Sequence, residues 1–88
     1  MKVYTLTRIL KNEEGDIWMN EVIDVFLNPD DAQSFAEDAM KRINSLNEGK
    51  INITRRHESK GVFSIEATYK SIYDLSSEMY RIKEFELK

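Results

Sequence analysis

The segment from Asn28 to Gly49 carries the pattern of one amphipathic helix, and this pattern limits the folds open to the chain. Asn28 is a suitable N-cap, Pro29 fits the first helical position, and Gly49 is suited to a helix stop. The apolar stripe runs at helical spacing through Ala32, Phe35, Ala36, Ala39, Met40, Ile43 and Leu46. One helix with one apolar stripe needs a second layer, which predicts a helix packed on a sheet.

Two strands are predicted before the helix. Residues Val3 to Leu10 and Ile17 to Leu27 are rich in β-branched and aromatic side chains, and a turn of sequence KNEEGD separates them. Pairing Leu10 with Ile17 and Tyr4 with Ile23 brings the apolar sets of the two strands to one face. This parity predicts that the first hairpin places its larger apolar set against the helix.

A second hairpin is predicted over residues 51–70. A three-residue loop, Ser59-Lys60-Gly61, allows residues of equal parity to face each other across the two strands. That register places Arg55 opposite Ile65 and His57 opposite Phe63.

The last ten residues, MYRIKEFELK, favour a final strand. The parity of the apolar residues changes between Ile82 and Phe85, so the prediction includes a bulge near Lys83 and Glu84. The alternative is a helix whose apolar residues are Leu75, Met79, Ile82 and Phe85.

These elements predict one α+β domain over residues 1–88, with a single helix on an antiparallel sheet of four to five strands in the chain order β-β-α-β-β-(β). The 88 residues include no Cys, which excludes disulfides and thiolate metal sites. No apolar segment approaches the roughly 20 residues that span a membrane. We therefore expect a cytoplasmic protein without membrane partners.

Three segments resemble small uncharacterised proteins of bacteria and their phages. They are the opening VYTLT, the run VIDVFLNPDDAQSFAEDA and the closing YRIKEFEL. The resemblance implies the same strand–strand–helix order and a phage or bacterial genomic setting, and hence the cytoplasm of the bacterial host cell for a phage-encoded protein. It implies no reaction and no functional residue.

The second predicted strand is apolar on both faces, which raises the question of what covers its second side. Trp18, Val22 and Phe26 share the parity that points away from the predicted helix. If this apolar second face is exposed, it is a candidate for partner binding or for a symmetric homodimer. The alternative is that the C-terminal segment folds over it.

Acidic residues form the most distinctive charged feature. The net charge is −3, yet residues 12–40 contain nine acids and no Lys or Arg. Asp30 and Asp31 are explained by the helix dipole. The candidate acidic docking surface consists of Glu13, Glu14, Asp16, Glu21, Asp24, Glu37 and Asp38. Such a surface favours a basic protein partner, and the size and charge are similar to those of phage-type inhibitors and anti-defence (anti-CRISPR-like) proteins.

A nucleic-acid-binding module is the alternative function, with Arg55, Arg56 and Lys60 of the second hairpin as phosphate contacts. The acidic net charge makes nucleic acid the weaker prediction. Catalysis has less support, since His57 is the only His and no residue spacing supplies it with an orienting carboxylate. We predict no catalytic residues, no metal site, no cofactor and no enzymatic activity. The predicted partner is a host protein or a second copy of the chain.

Overall fold

The structure is a computed structural model that describes residues 1–12, 14–59, 62–69 and 75–87. The side chains of Trp18, Leu75 and Ser76 lie outside this description, as do Glu13, Lys60 and Gly61. The predictions that rest on the Trp18 side chain, on Glu13 and on Lys60 therefore fall outside the described residues.

Five strands and one helix make up the described chain. The elements are β1 (Lys2–Asn12), β2 (Ile17–Phe26), α1 (Pro29–Leu46), β3 (Asn52–Ser59), β4 (Val62–Thr68) and β5 (Leu75–Glu86). The strands form one antiparallel sheet in the order β2-β1-β5-β4-β3. The predicted α+β class and chain order are confirmed, and the C-terminal segment is a strand. This described part, Leu75–Glu86, lies at the centre of the sheet and not over its second face, while the part of that alternative in residues 70–74 falls outside the described residues.

A side-chain hydrogen bond marks the start of helix α1, and left-handed backbone marks its end. The Asn28 side chain accepts the backbone N–H of Asp30 at 2.8 Å, as expected of an N-cap. Left-handed backbone at Glu48 (φ 56°) and Gly49 (φ 77°) turns the chain away after the cap residue Asn47. The predicted stripe is buried at Ala32, Ala36, Ala39, Met40 and Ile43. Phe35 and Leu46 were wrongly included, since they are 37% and 82% exposed and lie outside the core.

The core lies between α1 and one face of the sheet. Its buried residues are Tyr4, Leu6, Ala32, Ala36, Ala39, Met40, Ile43, Phe63, Ile65, Ala67, Tyr80 and Ile82. The small alanines of α1 let the helix approach the sheet, while the larger side chains come mainly from the four strands nearest to it. We call this side of the sheet the helix side, and the opposite side the open face.

A β-bulge in β2 overturns the predicted face of Phe26. Leu6 pairs with Asp24 while its neighbour Thr7 pairs with Val22, so Ile23 is an extra residue on β2. The extra residue reverses the parity of β2, and Phe26 then lies opposite Tyr4 on the helix side. Phe26 packs against the core and against the Phe35 ring, at 6.1 Å between ring centroids.

The predicted register of the first hairpin is also wrong, because it assumed regular pairing. Leu10 pairs with Met19 and Tyr4 with Phe26, in place of Ile17 and Ile23. A second irregularity falls between Leu10 and Lys11. Two bulges within ten residues twist β2 strongly at the edge of the sheet.

The second hairpin has the predicted register. Arg55 pairs with Ile65 and His57 with Phe63. A register shift lies between His57 and Ser59, at the end of β3. Of the predicted loop Ser59-Lys60-Gly61, Ser59 belongs to β3 and pairs with Val62, so its assignment to the loop was wrong, while Lys60 and Gly61 are not among the described residues.

The bulge predicted in the last strand is absent. Pairing of β5 with β1 continues without interruption from Ile82 with Leu6 to Phe85 with Val3. Phe85 consequently points to the open face and is 50% exposed, while Tyr80 and Ile82 are buried on the helix side. The prediction was wrong because it assumed that every large apolar residue of the strand is buried.

Candidate interaction surface

The open face of the sheet is the candidate site. The described helix packs on the opposite side, and among the described residues no element crosses this face. Strand alternation and the observed registers assign the following central residues to it: Val22 and Val25 of β2, Val3, Thr5, Thr7, Ile9 and Lys11 of β1, Met79, Arg81, Lys83 and Phe85 of β5, Ser64 and Glu66 of β4, and Thr54 and Arg56 of β3.

One corner of the open face is apolar. Val22 is 59% exposed and Val25 is 53% exposed on the edge strand, and Phe85 is exposed two strands away. Between them lies Val3, which is buried beside its partner Phe85. We call Val3, Val22, Val25 and Phe85 the apolar corner. A folded chain that leaves three large apolar side chains this exposed on one sheet face offers a site for burial against a partner.

The part of the open face formed by β5, β4 and β3 is charged. Its basic residues are Arg81 and Lys83 of β5 and Arg56 of β3, and none of the three forms an ion pair with another described residue. Glu58 and Arg56 line the same shallow groove as Arg81. Positive charge therefore lies next to the apolar corner on a single surface.

A single ion pair neutralises part of this charge. The Lys11 ammonium lies 3.6 Å from the Glu66 carboxylate, and both side chains are partly exposed. Counting Lys11, Arg56, Arg81 and Lys83 against Glu58 and Glu66, the described residues of the open face carry a net charge of +2 (4 − 2). The surface is basic although the whole chain is acidic.

The exposed edge of β2 is partly closed to strand addition. The Asp24 carboxylate accepts the backbone N–H of Val25 at 2.8 Å, so a side chain satisfies one backbone donor of the strand. The two bulges of β2 further distort its edge. Bulges and edge carboxylates are devices that discourage pairing with another strand. The open face, rather than the edge, is thus the better docking surface.

The predicted acidic residues are distributed over three places. Glu14 and Asp16 lie in or beside the β1–β2 turn, Glu21 and Asp24 are on β2, and Glu37 and Asp38 are on α1. Glu37 is bound to β3, at the opposite edge of the sheet from β2. Four strand spacings separate those edges, about 19 Å. The structure does not bring the acidic residues of β2 and of α1 together.

Glu37 and Arg55 form a two-pronged ion pair. The Arg55 Nε and Nη2 atoms each donate to one Glu37 carboxylate oxygen at 2.7 Å. These hydrogen bonds hold the pKa of Glu37 below its ordinary value, against the opposing effect of burial. The pair ties the outer side of α1 to β3. It also removes Glu37 from a freely available acidic surface.

The same pair divides the predicted nucleic-acid contacts. Arg55 points to the helix side and is held by Glu37, whereas Arg56 points to the open face, opposite Ser64. Adjacent residues of a strand face opposite sides, so the two side chains do not form one phosphate-binding patch.

A polar cluster lies within the helix side of the sheet. Glu78 is 5% exposed, and its Oε1 atom accepts hydrogen bonds from Arg8 Nε at 2.6 Å and from the Tyr80 hydroxyl at 3.1 Å. Burial, reinforced by the Glu78 carboxylate, raises the pKa of Tyr80 to about 12. Burial foremost and the same carboxylate also raise the pKa of Tyr69. The carboxylate is therefore satisfied by protein donors, which gives the cluster a structural role.

His57, the one histidine of the chain, packs against an aromatic ring. The His57 ring packs on Phe63 with ring centroids 4.6 Å apart, as its position opposite Phe63 predicts. Within residues 1–12, 14–59, 62–69 and 75–87, no group of three or more His, Asp and Glu side chains is arranged to hold a metal ion. The described helix is not long and apolar enough to cross a membrane.

Sequence reasoning missed the basic part of the open face. Its members come from β1, β3 and β5, and they meet only because β5 lies between β1 and β4. A strand without the assumed bulge would have placed Arg81, Lys83 and Phe85 on one face. That alternation was the one available signal in the sequence.

Comparisons with protein-family models, with curated proteins and with solved structures gave no significant match to this chain. The resemblance to small phage and bacterial proteins therefore stays a prediction, and the functional argument rests on the surface itself.

Proposed function

We propose that this protein is a non-enzymatic protein-binding module that docks through the open face of its sheet. The observation that carries the proposal is the exposure of Val22, Val25 and Phe85 on a face that no described element covers. Burial of apolar surface contributes about 25 cal/mol per Å², and an exposed aromatic ring is a common anchor of protein interfaces. A partner that covers this corner gains that contribution.

The basic residues next to the apolar corner orient the partner as it docks. Arg81 and Lys83 both precede Phe85 on β5, alternating with residues that face the helix side. Charges around an apolar anchor set the orientation and the association rate more than the affinity. An apolar anchor beside charges that have no ion-pair partner among the described residues thus favours a specific partner over unspecific adhesion.

A phage-type inhibitor or anti-defence protein is the more specific form of this proposal. An inhibitor needs a docking surface and no reacting groups, which fits a small domain that exposes Val22, Val25 and Phe85 on one sheet face. The acidic residues of β2, Glu21 and Asp24, lie opposite Arg8 and Leu6 on the helix side, so they are not part of this docking face.

The test compares capture of partners by matched variants. Cells that naturally produce the protein are lysed, and the lysate is passed over immobilised wild type, Val22→Gln/Val25→Gln and Leu46→Gln. Leu46 is equally apolar and more exposed but lies on α1, so it controls for the loss of exposed apolar surface. Circular dichroism checks that each variant is folded.

We expect a partner that wild type and Leu46→Gln retain and that Val22→Gln/Val25→Gln loses. A photo-crosslinking residue placed at Phe85 should mark the same partner, and one placed at Leu46 should not. A partner that binds both variants equally, or a wild type that retains none, contradicts the proposal.

A further inference from the structure

We infer that the partner of the open face is an acidic protein segment that carries an aliphatic or aromatic anchor residue. The inference rests on the proposed function and names the chemistry of the partner. Its basis is charge complementarity: the open face carries a net charge of +2 among the described residues, while the chain as a whole carries −3. The basic groups are concentrated on the face that no described element crosses.

Three basic residues that form no ion pair with another described residue lie within reach of one extended ligand: Arg56, Arg81 and Lys83. Arg81 and Ser64 are paired neighbours on β5 and β4, and Ser64 is in turn the partner of Arg56 on β3. Two strand spacings therefore separate Arg81 from Arg56, about 10 Å. Lys83 stands two residues from Arg81 along β5, next to Phe85. A ligand that seats its apolar side chain against Phe85 brings its following carboxylates to these cations.

A second copy of the chain fits this surface poorly. A stable interface buries about 800 Å² on each partner. Five strands spaced about 4.8 Å apart and about 30 Å long offer roughly 700 Å², so a dimer of usual size has to use the whole open face. Two such faces would then repel each other, because both carry net positive charge from Arg56, Arg81 and Lys83. The apolar corner alone covers too little area.

Nucleic acid is the other anionic class, and it matches the basic groups but not the apolar corner. Bases bind through stacking on aromatic rings, whereas Val3, Val22 and Val25 offer only aliphatic surface. The described open face contributes one aromatic ring, Phe85. The overall acidic charge also opposes association with a polyanion.

The experiment selects ligands without knowledge of the natural partner. A random library of displayed 12-residue peptides is selected on the immobilised full chain. We expect enrichment of peptides in which Asp or Glu residues flank a Leu, Ile, Phe or Trp. Binding of the best synthetic peptide is then measured by fluorescence anisotropy at two salt concentrations.

Matched charge reversals assign the binding to the open face. We expect Arg81→Glu/Lys83→Glu to weaken the selected peptide by about tenfold or more. The control Lys41→Glu/Lys50→Glu changes the charge equally at two residues outside the open face, each with more than three quarters of its side chain exposed, and should change binding by less than about twofold. Circular dichroism again reports on folding.

Three results of the binding experiments would overturn the inference. They are selection of basic or uncharged peptides or of none, equal weakening by both charge reversals, and tighter binding of a fluorescent single-stranded 20-nucleotide DNA than of any peptide. A wild-type dimer in light scattering that Val22→Gln/Val25→Gln dissociates also overturns it, in favour of a second copy.

Failure of the inference and failure of the proposed function have different signatures. If Val22→Gln/Val25→Gln removes a captured partner whose contact segment is basic, the open face still docks proteins and only the chemistry of the partner is wrong. If open-face substitutions leave every partner unaffected, both fail.

Discussion

The Nε atom of Arg8 lies 2.6 Å from the Oε1 atom of Glu78, and this ion pair joins β1 to the central strand β5 on the helix side of the sheet. Glu78 is buried, and the same oxygen accepts the Tyr80 hydroxyl. The pair also fixes pairing register, because a one-residue slip of β5 against β1 would move Glu78 to the other side of the sheet.

Removal of Arg8 should leave the buried Glu78 carboxylate without its charged partner. We expect Arg8→Leu to lower the free energy of unfolding at pH 7 by about 2–3 kcal/mol, measured by urea denaturation. Replacing both residues in Arg8→Leu/Glu78→Leu should recover part of this loss, since no buried charge is then left. Lys2→Leu removes an equal charge from an exposed ion pair of the same strand and should lower stability far less than Arg8→Leu does. If Arg8→Leu and Lys2→Leu lowered the free energy of unfolding equally, burial would not be the cause of the effect.

Alkaline pH should destabilise the protein through Tyr80. Its pKa is about 12 in the folded chain and about 10 when unfolded. Between these values the unfolded chain releases a proton that the folded chain retains, so stability falls as the pH rises above 10. We expect wild type to lose roughly 2 to 3 kcal/mol more than Tyr80→Phe by pH 12. Unfolding curves of both proteins from pH 9 to 12 test this, and parallel pH profiles would exclude it.

The bulge in β2 predicts opposite consequences for two adjacent residues. Phe26 packs on the core and on Phe35, whereas Val25 is exposed on the open face. We expect Phe26→Ala to cost about 2–3 kcal/mol and Val25→Ala no more than about 1 kcal/mol. Urea denaturation of both variants measures the difference. Uninterrupted alternation along β2 predicts the reverse order, so the comparison reports on the bulge itself.

The ion pair between Glu37 and Arg55 should be modest and dependent on pH. We expect Glu37→Gln to lower stability at pH 7 by about 0.5–1 kcal/mol. The lowered pKa of Glu37 means that the contribution is present at neutral pH and is lost as the pH falls through that pKa. Asp38→Asn is the control, because Asp38 is highly exposed and 3.9 Å from Lys41, and it should have almost no effect. If wild type stays more stable than Glu37→Gln down to pH 2, the stabilisation comes from packing of the Glu37 side chain and not from its charge.

The helix, the strands and the second hairpin were predictable because their signals are local. Asn28 and Pro29 mark the start of α1, and a short connection limits the registers open to β3 and β4. The same local reasoning failed for β2. A bulge at Ile23 depends on how β1 and β2 pair along the whole hairpin and on the packing of Phe26 against Phe35. Neither can be read from the sequence of a single strand.

The open face could be predicted only in part. Val22 was assigned to it from alternation, and Phe26 was wrongly included. Arg56 and Arg81 are 25 residues apart in the sequence. They share a surface because β4 lies between β3 and β5 and joins both strands in one sheet. Strand order is a long-range property of the sheet, so a charge cluster formed across it does not appear as a run of charges in the sequence.

The central position of β5 has a consequence for synthesis on the ribosome. The last described strand is the only one that links the β1–β2 pair to the β3–β4 pair. A nascent chain without Leu75–Glu86 therefore holds two separate hairpins and leaves Leu6 and Ile65 without the strand that lies between theirs in the finished sheet. Folding must await the C-terminal strand, and the distant pairing of first and last strands predicts slow formation of the sheet. Until that strand emerges, chaperones have a sustained opportunity to bind the incomplete chain.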